Sequence, residues 1–271
     1  MKKRSLVAAV AMLVVSAIVL TSATYAWFSA SSSASVSSIT AAVTNNSGSL
    51  SIAPTGTNAK SATKDIFKTT ISNADYENLC ANLSPVSMSM NTTPQFNKVS
   101  YDAAKFSGFA AATANSEYLT YTFTVKYVNG NASSKTINIT PTFTQNAQNF
   151  TYGIVAITTG TGETATTTYY MYSASGSYEP VASMSADVTD TNGNAIIDSA
   201  DDGYQSSYIG NTTGTTAGTS GTAISLMTVS ANSTDTATVT AYVWAEGQDA
   251  NCTGNVNNES TGFTFALAEA A

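Results

Sequence analysis

The chain has 271 residues, ten Lys plus Arg against seventeen Asp plus Glu, two cysteines and no histidine. The lack of histidine excludes Ser-His-Asp and Cys-His catalysis and most zinc sites together. The acidic balance excludes nucleic acid as a partner, since few cations are present to release its counterions.

The chain opens on Lys2, Lys3 and Arg4, followed by an almost unbroken apolar run from Leu6 to Leu20 and small residues at Thr21, Ser22 and Ala23. A basic start, an apolar run and a small-residue exit make a secretory signal peptide, here residues 1–26 and helical while in the membrane. Ala26 after Thr24-Tyr25 supplies the small residue before a cut that leaves Trp27 first, and Ala23 offers an earlier cut. The alternative is an uncleaved anchor, since the run approaches the roughly 20 residues that span a bilayer; the membrane would then be touched through this segment alone. Beyond the three basic residues of the start, seven lysines face seventeen carboxylates, a net charge of −10 for the mature part. About 240 residues remain, enough for one large sandwich or two small ones. Charged residues are 10% of the chain and aromatics another 10%. Polarity carried by Ser, Thr, Asn and Gly, with aromatics retained, suits a β protein rather than a disordered one.

Residues 27–48 read as an extended N-terminal arm or a first strand. The arm holds Trp27, Phe28, Val36, Ile39 and Val43 as spaced apolar groups, with no proline or charge up to Val43. Residues 49–271 form the sandwich domain. Asn45-Asn46-Ser47-Gly48 gives a turn, and Leu50 to Ala53 a short strand ended by Pro54. Between 55 and 117, Lys64 to Lys68 and Asp75 to Cys80 suit short helical turns, while Pro85 and Pro94 break any longer helix. Tyr118 to Val128 is the clearest strand: Leu119, Tyr121, Phe123, Val125 and Tyr127 alternate with Thr120, Thr122, Thr124 and Lys126. Asn129-Gly130-Asn131 and a second alternating run through Ile137, Ile139 and Phe143 predict a β-hairpin, with Pro141 at an edge or bulge. Further strands are expected at Gly153 to Thr158, Thr168 to Ser173, Ile224 to Val229, Thr236 to Trp244 and Phe263 to Leu267. Asn211 to Thr222 reads as a surface loop. Thr236 to Trp244 is bulky on both faces and so more central. With no β-α-β alternation, the expected architecture is an all-β, jelly-roll-like antiparallel sandwich with long loops and short helical insertions.

One loop has metal-ligand spacing. Taking Asp190 as position 1 puts Asn192 at 3, Asn194 at 5, the carbonyl of Ile196 at 7, Asp198 at 9 and Asp201 at 12, the EF-hand pattern. Ala195 replaces the turn glycine, Asp201 is shorter than the usual Glu, and two ligands are neutral. The reading is a weak structural Ca2+ site in an insertion near 187–203; the competing one is an Asn/Asp-rich turn without metal. Cys80 and Cys252 are a disulfide pair if oxidised outside the cell. Paired-carboxylate chemistry has no motif here, so no enzyme is expected.

The short basic start, the apolar run and Thr24-Tyr25-Ala26-Trp27-Phe28-Ser29 resemble the N-termini of TasA/camelysin-type exported proteins of Gram-positive bacteria. Val243 to Cys252 is similar to a segment recurrent in surface proteins carrying that signal. The resemblance implies a secreted biofilm-matrix or cell-surface fibre protein with a β-sandwich, self-associating and open to other matrix or surface proteins. A protease activity is not carried over, since the chain lacks HExxH. The physical route to a fibre is donor-strand addition, in which the arm pairs with a sheet edge of the next copy in a contact that does not close. The alternatives are an arm that pairs within its own sandwich, and a monomeric surface-binding module, with carbohydrate as ligand and Tyr204 and Tyr208 as its aromatics.

Overall fold

The computed structural model describes residues 34–36, 39–43, 48–90, 92–102, 105–146, 149–173, 214–246 and 260–270. In these, strands dominate: β1 (Ala34–Val36), β2 (Thr40–Val43), β3 (Ser49–Thr55), β4 (Thr70–Ser72), β5 (Asn82–Leu83), β6 (Pro85–Met90), β7 (Pro94–Asp102), β8 (Lys105–Ala111), β9 (Leu119–Val128), β10 (Lys135–Thr144), β11 (Thr151–Thr159), β12 (Thr166–Tyr172), β13 (Thr215–Ala217), β14 (Ile224–Val229), β15 (Thr234–Glu246) and β16 (Ser260–Glu269). Two single 3-10 turns, Asn73–Asp75 and Gly162–Thr164, are the helical content among the described residues. The fold is all-β and sandwich-like, as expected.

The smaller sheet runs β14-β10-β16, with β1 and β2 on the far side of β16 and β5 and β4 beyond them. The larger runs β13-β12-β11-β15, where β15 continues to β9 and β3 on one side and touches β6 of the β6-β7-β8 meander. Most pairs are antiparallel, but β1 and β2 each pair with β16 in parallel, as do β12 with β13 and β15 with β6. The expectation of a purely antiparallel sandwich missed these. Three of the four set a two- to four-residue ladder against a strand far away in sequence.

Alternation builds the core between the sheets. The inward residues of β9 (Leu119, Tyr121, Phe123, Val125, Tyr127) and of β15 (Ala237, Val239, Ala241, Val243) are buried, and they alternate with half-buried Thr120, Thr122, Thr124, Lys126, Thr238, Thr240 and Tyr242. From the other sheet come Ile137, Ile139, Phe143, Phe263, Phe265 and Leu267. Phe265 meets Phe123 edge-on at 5.2 Å and Phe263 meets Tyr172 at 5.2 Å, geometries that aromatic quadrupoles favour. Gly153 on β11 lets the backbone approach: a Cβ there would lie 2.5 Å from the Phe263 ring.

The predicted hairpin of β9 and β10 does not exist. β9 pairs with β15 and β3, whereas β10 pairs with β14 and β16 in the other sheet. Alternation marks which side chains point inward, and two such strands can face each other across a core as well as lie side by side. The crossing is held by buried Asn129, whose Nδ2 donates to the carbonyls of Ser133 (2.9 Å), Val229 (3.2 Å) and Ser230 (2.9 Å). Pro141 sits where β10 has lost β14 and pairs with β16 alone, so the edge expectation holds. Pro54 does not end its strand: among the described residues β9 is the one strand β3 pairs with, and on its other side β3 makes only an isolated bridge from Ile52 to Lys68, so a missing N–H at Pro54 is tolerated.

Candidate functional site

Of the apolar residues read from the sequence as an arm, those described fall in β1, in β2 and just before β2. β2 lies in a slot between β16 and β4. On one side Thr40, Ala41, Ala42 and Val43 run parallel to Thr264, Phe265, Ala266 and Leu267; on the other Thr40, Ala41 and Ala42 run antiparallel to Ser72, Ile71 and Thr70. β1 continues the line, pairing with β16 and β5. The backbone is therefore hydrogen-bonded from both sides, and β2 supplies the sheet with side chains of the correct parity.

Those side chains plug the core. Ile39 is 1% exposed and Ala41 0%, both within the main cluster, and Val43 packs against it. Burying Ile39 contributes about 2 kcal/mol by transfer alone. Of the arm residues read from the sequence, Ile39 and Val43 therefore meet the core. Val36 is placed by its backbone in β1, while Trp27 and Phe28 lie outside the described residues. Ala41 was missed, although the period of two linking Ile39 and Val43 passes through it.

The slot wall is locally stiffened. Ser72 caps the 3-10 turn Asn73–Asp75 while the Asp75 carboxylate accepts from the Ser72 amide at 2.9 Å, a reciprocal capping box. Buried Asp75 also pairs with the Lys68 ammonium. Asn73 Oδ1 then accepts the Ile39 amide at 2.5 Å, and Val43 N–H donates to the Thr69 carbonyl at 3.1 Å, so the wall grips both ends of the insert. Next to the turn, Tyr76 donates to the Thr122 carbonyl (2.9 Å), and burial, with the Asp75 charge second, pushes its phenol far above the ordinary range. Where the chain leaves β2 for β3, Gly48 permits contact that no side chain would: a Cβ would sit 2.5 Å from Tyr127 Oη.

The comparison with known families, curated proteins and solved structures gave no match. The site must therefore be read from its own geometry.

The other sequence-predicted residues are not gathered here. Asp190, Asn192, Asn194, Ile196, Asp198 and Asp201 lie outside the described residues, as do Ala26, Cys252, Tyr204 and Tyr208. Cys80 is buried, its thiol donating to the Asn82 carbonyl (2.8 Å), and burial raises its pKa. Among the described residues no three His, Cys, Asp or Glu side chains converge as a metal site.

Proposed function

We propose that this is an exported, non-catalytic structural protein of the cell surface or matrix, assembling when β2 of one copy enters the slot of the next. The observation that supports it is the two-sided pairing of β2 with Ile39 and Ala41 in the core. Such a slot accepts an identical strand from another copy with every contact retained, so exchange loses only the tether to its own domain. The isolated chain satisfies its slot in cis; a filament satisfies it in trans. Calcium at Asp190 to Asp201 is a structural addition to this reading, and the segment 1–26 directs the chain to export.

The experiment that separates cis from trans pairing is a cross-link. Ala42 and Thr70 are antiparallel Cα partners, a spacing of about 4.5–5.5 Å that a disulfide spans. In a background with Cys80 and Cys252 replaced by Ser, Ala42→Cys with Thr70→Cys should oxidise within one chain in monomer and give covalent ladders in filaments. Filaments whose subunits carry only the intrachain bridge, or a mature chain that stays monomeric at high concentration, would defeat the donor-strand reading.

A further inference from the structure

The outer face of the larger sheet carries an ordered hydroxyl array that the assembly strand does not use. Registers of β9, β15, β11 and β12 align Thr124, Thr238, Thr158 and Thr167 in one row across four strands. The next row holds Thr122, Thr240, Ala156 and Tyr169, with Thr55, whose hydroxyl is buried, at its β3 end. Neighbours within a row are about 4.8 Å apart and rows about 6.7 Å apart, the spacings of the strands themselves. Two pairs are tied: Thr122 and Thr240 hydroxyls at 3.1 Å, Thr158 and Thr167 at 2.8 Å. A tied pair still has one hydroxyl hydrogen and several lone pairs to offer outward.

Beyond these rows the face turns aromatic. Tyr242 follows Thr240 on β15, and Tyr118 precedes Thr120 on the same parity of β9. Phe96 lies between the two rings, stacked on Tyr118 at 4.1 Å and near-parallel to Tyr242 at 5.8 Å. Tyr118, Tyr169 and Tyr242 are all half-buried. Burial raises all three phenols, Tyr242 to about 12 with Tyr169 and Tyr118 adding to the shift, so they remain neutral donors and acceptors at neutral pH. Neither row contains a charged residue; Lys126, one step beyond, holds its ammonium over the Phe67 ring at 3.9 Å.

The geometry points to this face as a binding surface for a neutral, extended polysaccharide. Rows of hydroxyls exchange hydrogen bonds with sugar hydroxyls, while threonine methyls and tyrosine rings cover the C–H faces of the sugars. The repeat suits a polymer more than a single small ligand. A polyanion is disfavoured, because the chain's net charge is −7 and the rows carry no cation.

The test is a depletion isotherm of the full chain on microcrystalline cellulose and on chitin, with heparin-coated beads as the anionic comparison. The unaltered chain should be removed by at least one neutral polymer and not by heparin. Thr122→Val with Thr240→Val should bind about tenfold more weakly, the loss expected for one to two hydrogen bonds, and Tyr169→Ala likewise. Thr136→Val, which breaks the comparable exposed Thr136–Thr228 pair (3.3 Å) on the other sheet, should bind normally. Circular dichroism checks that each variant is folded, and Tyr169→Ala serves if the double variant is not. No depletion of the unaltered chain by either polymer, or full binding by the folded variants, overturns the assignment. So does sedimentation without polysaccharide that the double variant abolishes, which would give the face to a second copy.

Discussion

Two apolar clusters lie on opposite faces of the larger sheet, and they are built differently. The first sits between the sheets and draws one residue in two from β9, β15, β10 and β16. The second lies on the outer face, where Tyr152, Ile154, Met171 and Trp244 are covered by Val86, Met88, Met90 and Phe96 of the meander. Only its own end of the face is roofed; farther along, the same strands turn to the threonine rows. Three of its eight buried members are methionines, flexible side chains that fill an irregular gap rather than interlock. It also encloses a carboxylate: Glu246, 0% exposed, accepts from Trp244 Nε1 (3.0 Å) and from the Met88 amide (3.3 Å). The first cluster is a seam between two sheets; the second is a lid pinned at one buried acid. The first therefore governs global stability, while loss of the second should leave a folded sandwich.

The sharpest way to break that contrast is Phe263→Ala. The ring is fully buried against Phe143, Tyr172 and Phe265, so truncation should cost about 3–5 kcal/mol in one cooperative transition by urea melts. If the second cluster is a separate unit, Phe96→Ala should cost about 3 kcal/mol within the meander, with tryptophan fluorescence changing before the far-ultraviolet signal. Coincident transitions would make the two clusters one unit. Glu246→Gln puts an amide nitrogen in place of one carboxyl oxygen, and should cost about 1–2 kcal/mol, again seen first by Trp244. Alkali tests both clusters at once. Tyr76, Tyr121 and Tyr172 in the first and Tyr242 against the second all have pKa values raised chiefly by burial. Their stabilisation is fully present below about pH 10, the unfolded phenol value, and is lost as pH rises through the folded values, about 12 for Tyr242. Tyrosinate absorbance should thus appear together with unfolding; ionisation of the phenols in a still-folded protein would contradict their burial. The smallest effect belongs to the outer rows: Thr158→Val should change stability by about 0.5 kcal/mol or less, since its partner pair is exposed.

The contrast also explains what was legible in the sequence. The first cluster announces itself in the strict alternation of residues 119–127 and 237–243, and the central place of β15 follows from its bulk on both faces. The meander does not announce itself, because Met88 and Met90 alternate with serines between prolines and mark no strong strand. Strand partners were hidden as well. Asn129-Gly130 has the composition of a hairpin turn, yet Asn129 serves as a bracket for three carbonyls at a crossing. For β2, the apolar spacing of Ile39 and Val43 was visible, but its wall at Ile71, Asn73 and Leu83 comes from short segments with no pattern of their own.

The parallel pairing of β2 with β16 has a consequence for the timing of folding. β16 is flanked by β10 on one side and by β1 and β2 on the other, so the smaller sheet joins residues near both ends of the chain. Contacts of such sequence separation form slowly, since the loop closes before any contact rewards it. Until β16 has been made, β2 has only its short ladder with β4 to join and β10 lacks its main neighbour. A chain in which β16 has not yet been made therefore holds an incomplete smaller sheet, and closure of that sheet waits for residues 260–269.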